Sequence, residues 1–572
     1  MASGVSNGQW RANLDPGAQR LVQAYEARVG GLPDTAQAAL GAATGALDVA
    51  AVERILANTC APGDVERALA AVQAPGTPNL GHGGRPGFID QLAGMRTGAA
   101  PMAPAAAASP APVKGAAAVG LSPLAEQTKG WDATETAARI RAGEITALEV
   151  TKAAVERAKA SQPVINAIIY PTFEAALANA KDAPREGCFA GVPTFVKDME
   201  KLAGAPATFG SAAVPPHVAT ETAASVAQFM ATGPVSLGKS TTAEFGLTGT
   251  TEPFYGEPTR NPLNLAHSPG GSSGGAAALV AAGVVPVAHG GDGGGSIRIP
   301  ASFCGLVGLK ATRGRLAWMD SAKKMPVKIA TYGIVSRSVR DTAAYFGEVA
   351  GEAAPGMAPI GKVEGPGKQK WRVGLFIDPP LGSPVDPEVR AATLKVAEEL
   401  ERQGHHVDYI PAPYDQGLVD DFLLHWGVLA LGIEQIVKRT PGGDADKLEP
   451  WTKDLAKMAK KNLLKMPGAL WRLSRFHKRY AKNFERCDVI LSPTAAAPAP
   501  KLGHLGGDQP YEQHLERLLE LLPYTPLQNA SGGPAISVPA GKADETELPI
   551  GVQLAAPWGE ERRLIELAYA LE

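Results

Sequence analysis

Two serines and a lysine stand where the chain is equipped for chemistry. Ser296 closes the glycine run in "VVPVAHGGDGGGSIRIP", directly after Gly293, Gly294 and Gly295. Glycine loses more backbone freedom on folding than any other residue. Three in a row before a serine therefore imply bare backbone N–H groups brought close to something negatively charged, rather than a plain turn after a strand. Ser272 and Ser273 lie in a second glycine-bracketed cluster, "HSPGGSSGGAAALVAAG", and 296 − 272 gives a spacing of 24. Lys197 ends an apolar stretch, "GVPTFVKD". A serine hydroxyl is a weak nucleophile until a neighbouring base takes its proton. Residues 270–274 match G-x-S-x-G, a sharp turn that presents a serine to a histidine base. That motif should follow a strand directly, and "NPLNLAHSPG" makes a poor one; His405, His406, His425, His477, His504 and His514 carry no recognisable partner signature. A phosphate nest would want GxxxxGK[ST], or GxGxxG within a βαβ unit, and neither is present. Asp292 and Arg298 read as hydrogen-bonding supports of the loop, and Cys304 as packing behind it. No residue set suggests a metal or cofactor site.

These residues need elements to hold them. "FAGVPTFVKD" ends in a short apolar strand, and "GPVSLGKS", "VVPVAHGG", "WRVGLFID", "CDVILSPT", "PAISVPAG" and "PIGVQLAAP" are further strand candidates. Helical patterns lie between several of them, one opening at Asp386-Pro387 with an N-cap and a proline in the first turn. Asp132 with Glu135, and Thr146 with Glu149, look like capping boxes opening two amphipathic helices. The alternation predicts an α/β fold, a central sheet covered by helices on both faces. Residues 1–94 read as a separate helical unit, with Asp34, Asp48 and Asp64 as N-caps, and 95–120 as an Ala/Pro-rich linker. The catalytic body is expected over 121–572. The basic, amphipathic stretch Lys457 to Tyr480 reads as a surface helix broken at Pro467-Gly468, with its apolar face beside the substrate entrance.

The blocks "GVPTFVKD", "GGSSGG" and "GGDGGGSIRIPASFCGLVGLKATRGR", followed by "LSPTAAAPAPKLG" and "TPLQNASGGPAISVPAG", occur in the order and spacing of the amidase signature family of serine hydrolases, which this chain resembles over roughly residues 121–572. The resemblance implies that family's mixed-sheet α/β fold and a Ser–cis-Ser–Lys triad. Ser296 would be the acyl nucleophile, Ser272 the proton relay after a cis peptide, and Lys197 the base. Ser273, Asp292 and Arg298 would support them. A lysine serves as a base only when burial destabilises its ammonium, so Asp198 is expected to face away or bond to backbone. The N–H groups of Gly293, Gly294 and Gly295 would then form an oxyanion hole.

"TTEPFYGEPTRNP" together with "GGDGGGSIRIPAS" is most similar to the branch holding aryl acylamidases and 6-aminohexanoate cyclic dimer hydrolase. This implies neutral, apolar or aryl amide substrates, with esters and carbamates as side reactions and Phe254 and Tyr255 as pocket lining. Ile299 stands where amidotransferase subunits of the family read Gln, which weakens the alternative of an ammonia-releasing subunit. A non-enzymatic interaction protein, working through residues 1–120, is opposed by the intact Lys197, Ser272 and Ser296. The bulk properties agree with a small-molecule enzyme. The chain has 572 residues, with 55 basic residues against 57 acidic, so no net field recruits nucleic acid. Four scattered cysteines suggest neither disulfides nor zinc. No unbroken apolar run is long enough for membrane insertion. The N-terminus lacks a secretory pattern, so a cytoplasmic location is expected. A homodimer is left open.

Overall fold

The computed structural model describes residues 120–572 except 324, 351–355 and 381, together with Val22, Val52 and Leu56. The chain divides into two compact units, Met1–Pro86 and Gly87–Glu572. Of the first unit, Val22, Val52 and Leu56 are described; each is helical and buried. The remainder of the expected helical unit, its three aspartate caps and the 95–120 linker lie outside the described residues.

Two sheets carry the second unit. A three-stranded sheet is ordered β1-β5-β2, from β1 (Ile168–Pro171), β2 (Pro193–Lys197) and β5 (Val235–Ser240). β3 (Pro206–Ala207) and β4 (His217–Val218) form a small ribbon. The large sheet is ordered β10-β9-β11-β13-β12-β7-β8-β6. Its strands are β6 (Val287–Asp292), β7 (Val307–Lys310), β8 (Thr331–Ser336), β9 (Arg372–Leu375), β10 (His406–Tyr409), β11 (Val489–Pro493), β12 (Ala535–Lys542) and β13 (Pro549–Ala555). β9 runs parallel to β10 and β11, and the other pairings are antiparallel, so the sheet is mixed as expected. All seven sequence-predicted strands form. β7 and β8 are not among them.

Local capping chemistry starts the helices where the sequence places them. Asp132 accepts from the Glu135 N–H at 2.8 Å and opens α1 (Ala133–Arg141). Glu135 turns to Arg139 instead of completing the box. At α2 (Ala147–Ile165) the Thr146–Glu149 box is complete in both directions. α3 (Gly274–Ala281) is apolar on all sides, and its seven residues Gly274–Val280 are buried, as a helix without a polar face must be. α4 (Arg298–Phe303) follows the glycine loop, and α5 (Pro387–Arg402) begins at the Asp386 cap. α6 (Gln416–Arg439), α7 (Pro450–Lys461), α8 (Met466–Ala481), α9 (Tyr511–Leu521) and α10 (Pro526–Ser531) build the remaining wall of the molecule. The Lys457–Tyr480 stretch therefore divides between α7 and α8. The break falls just before the expected place, because Pro467 is tolerated in the first turn of α8.

The core lies between sheet and helices, where Leu375, Leu491, Ile536 and Leu554 meet Tyr345, Phe346 and Ile565. β2 lies beside β6, and the Thr194 hydroxyl donates to the Val287 carbonyl at 2.8 Å. This contact carries the lysine-bearing strand up to the strand that leads into the glycine loop.

Candidate active site

β2 ends on Lys197, whose Nζ donates to Ser272 Oγ at 2.7 Å and to the Gly291 carbonyl at 3.3 Å. Both side chains are buried. The Gly271–Ser272 peptide is cis, as the family resemblance implies. Gly271 has no room for a side chain, since a Cβ there would lie 2.3 Å from the Thr250 carbonyl oxygen. Burial lowers the Lys197 amine to about 7, against the upward pull of Asp292 and Glu200. Asp198 turns away as anticipated. It takes the Thr208 hydroxyl at 2.7 Å, the Thr208 and Gly210 N–H groups, and the buried Lys239 ammonium at 3.0 Å. The side-chain partner of Ser272 is thus a lysine, and no histidine bonds to it among the described residues.

Ser273 ties the two serine clusters together. Its hydroxyl donates to the Gly291 carbonyl at 3.2 Å, and its N–H donates to the Ser296 carbonyl at 3.3 Å. Asp292 and Arg298 hold the glycine loop from behind. Arg298 grips both carboxylate oxygens at 3.0 Å and also reaches Gln528, Gln553, Asn529 and the Thr525 carbonyl. Burial alone would raise the Asp292 carboxyl, but Arg298, Lys310 and Asn529 override it and hold it down at about 2. Cys304 packs in the interior, its thiol pushed far up by burial.

The expected oxyanion hole needs one correction. The Gly295 N–H donates to Asp292 Oδ1 at 2.8 Å and is therefore occupied. Gly295 shapes the loop instead: its φ is +124°, and a Cβ would lie 2.2 Å from Thr525 Oγ1. The N–H groups of Gly293, Gly294 and Ser296 have no acceptor among the described residues.

Ser296 and Gly294 open into a cavity of about 100 Å³. Its wall is apolar and comes largely from α6, including Leu418, Phe422 and Trp426, with Leu518 and Leu519 of α9 and the segment 246–249. Phe254 and Tyr255 are not part of it. They stand 42% and 48% exposed, packed edge to face on each other at 4.7 Å. Neither does α8 line it. The wall residues were invisible as such in the sequence, because an amphipathic helix shows which face is apolar but not whether that face meets a core or a cavity. Lys310, another buried lysine near this loop, was missed for a similar reason. It donates to the Ala311 carbonyl at 2.8 Å, and burial with Arg298 nearby lowers it to about 7.

A buried lysine on a serine, a second serine at a glycine loop and a mixed sheet behind them describe a serine hydrolase of one particular kind, and the sequence comparison agrees. The Amidase family profile matches residues 149–565, and the chain belongs to the amidase-signature family of serine hydrolases, close to the 6-aminohexanoate cyclic dimer hydrolase and aryl acylamidase branch. It is 42% identical to the putative amidase AmiC of Mycobacterium tuberculosis over 451 residues, 77% of this chain and 94% of that one. To the 6-aminohexanoate-cyclic-dimer hydrolase of Paenarthrobacter ureafaciens it is 36% identical over 474 residues, again 77% and 94%. A bacterial aryl acylamidase of known structure superposes with a TM-score of 0.69 at 26% identity, covering 77% of this chain and 96% of the other. The protein is thus an enzyme with the amide-hydrolase chemistry of its family. Among the described residues no helix is long and apolar enough to cross a membrane.

Proposed function

We propose that the protein hydrolyses the C–N bond of neutral, apolar or aryl carboxylic amides through an acyl-enzyme on Ser296. The observation that carries this reading is the buried 2.7 Å contact between Lys197 and Ser272 beside the Ser296 loop. With its amine near 7, Lys197 is neutral in a large share of molecules at physiological pH. It takes the Ser272 proton while Ser272 takes that of Ser296. The freed Ser296 oxygen attacks the carbonyl, and the Gly293, Gly294 and Ser296 N–H groups receive the developing oxyanion. Collapse expels the amine, which leaves with the proton returned through Ser272. Water then repeats the relay and releases the acid. Removing one oxyanion donor typically lowers the rate about 10²–10³-fold, so these amides matter as much as the base. The apolar cavity beside Ser296, with no lysine or arginine in its wall, favours a neutral acyl group. Activated esters and carbamates fit the same chemistry.

The test is covalent labelling. Ser296→Ala should abolish labelling by a fluorophosphonate. Lys197→Ala should slow labelling and anilide turnover while the circular dichroism spectrum is unchanged. Peptide mapping that placed the probe on Ser272 of the wild-type protein would overturn the assignment.

A further inference from the structure

The cavity wall has almost no polar atoms to offer a ligand. Tyr414 donates its hydroxyl to the Pro523 carbonyl at 2.6 Å. Trp426 and Trp451 both spend their indole N–H on the Leu247 carbonyl, at 2.9 and 2.8 Å. Ser296 is the nucleophile proposed above. Thr248 also lines the cavity, and it is the one other wall residue with a polar side chain.

Behind Thr248, its Oγ1 lies 3.0 Å from His514 Nε2. His514 belongs to α9, is buried, and stacks on Trp451 at 4.2 Å with the rings 15° apart. The stack fixes the direction of the imidazole. His514 Nδ1 is buried with no partner among the described residues. An orphaned buried N–H is rarer than an orphaned acceptor, so the tautomer that suits this site carries its proton on Nε2 and donates it to Thr248. A hydroxyl has one hydrogen and two acceptor positions. With one acceptor position taken by His514, the Thr248 hydrogen has no acceptor among the described residues and is available to a ligand in the cavity. Burial, with Arg517 and His504 nearby, lowers His514 to about 4, which keeps the pair uncharged at neutral pH.

We propose that Thr248, oriented by His514, is a specificity-determining hydrogen-bond donor that selects neutral amides whose apolar body carries one further acceptor oxygen, a second carbonyl or an ether. This rests on the amide-hydrolase reading. The wall supplies the argument for selectivity: a site built around one hydrogen bond rejects ligands that leave its polar group unpaired far better than an apolar pocket rejects a misfit of one methylene. His514 is a positioning residue and touches no substrate.

The experiment uses the full chain and a series of acyl anilides of one length, in which a single ether oxygen is walked along an otherwise all-methylene acyl chain. The readout is kcat/KM for each ether relative to the all-methylene compound. In the wild-type protein one oxygen position should stand out. Thr248→Val should lower that ratio about tenfold, Thr248→Ser should restore it, and His514→Phe, which keeps the stack, should lower it in part. The same ratios taken as dissociation constants on Ser296→Ala protein read the pocket without turnover. Wild-type protein that hydrolyses none of the anilides would sink the amide-hydrolase reading, while the binding ratios would still decide on Thr248. Ratios that are flat along the series, or that Thr248→Val leaves unchanged, overturn the proposal.

Discussion

Lys197 and Lys310 are both buried, both lowered to about 7, and both feel the charge of Asp292. A pH profile alone does not tell them apart, but substitution does. The base works as the free amine, which is the minor form below its pKa and the major form above it. We therefore expect kcat/KM to rise with pH through about 7 and level off above. Lys310→Met should keep that rise, since its amine donates to the Ala311 carbonyl and, among the described residues, to neither serine. Lys197→Ala should flatten the profile and lower the plateau about 10²–10⁴-fold, the usual contribution of a positioned base. A rise that disappears with Lys310→Met and survives Lys197→Ala would reverse the roles. Lys197 was legible in the sequence through its matching block. Its lowered pKa was not, because that depends on desolvation by β6, α3 and the two serine loops.

The loop between β6 and α4 is held as a unit by one buried ion pair. Arg298 and Asp292 are fully buried, and together they reach Thr525, Gln528 and Asn529 on and before α10, as well as Gln553 on β13. Removing one partner strands the other charge without solvent, at a typical cost of about 3–5 kcal/mol. Arg298→Met and Asp292→Asn should each shift urea unfolding by an amount of that order. The double variant should lose clearly less than the sum, because neither charge is then left alone. Strict additivity in the urea titration would show that the pair does not act as a unit. The sequence marked both residues as loop supports. It did not mark their partners, which lie more than 200 residues away in the chain.

At the scale of the whole molecule, the family match spans residues 149–565, and the AmiC and 6-aminohexanoate-cyclic-dimer hydrolase relatives each align with 77% of this chain. The first helix of the described body, Pro123–Lys129, begins at its own cap, where Ser122 Oγ accepts from the Ala125 N–H. We propose that residues 1–120 are dispensable for the chemistry. Deleting them should change kcat/KM for an anilide by less than about tenfold, equivalent to ~1.4 kcal/mol in the barrier. A larger loss in folded, soluble protein would mean that the N-terminal unit helps to build the site.

What the sequence determined by itself was everything encoded locally. The glycine-serine blocks named the family and brought Lys197, Ser272 and Ser296 forward. Capping residues and short apolar runs located α2, α5 and the seven predicted strands, because caps and turn-bounded runs act within a few residues of themselves. Tertiary structure decided what depends on which distant surfaces meet. It gave the Gly295 N–H to Asp292, kept Phe254 and Tyr255 out of the cavity wall, and assembled that wall from α6, α9 and the segment 246–249 among others. It also set His514 behind Thr248, 266 residues apart in the chain. Burial and partner geometry belong to the packed molecule, and no periodicity in one segment records the face of another.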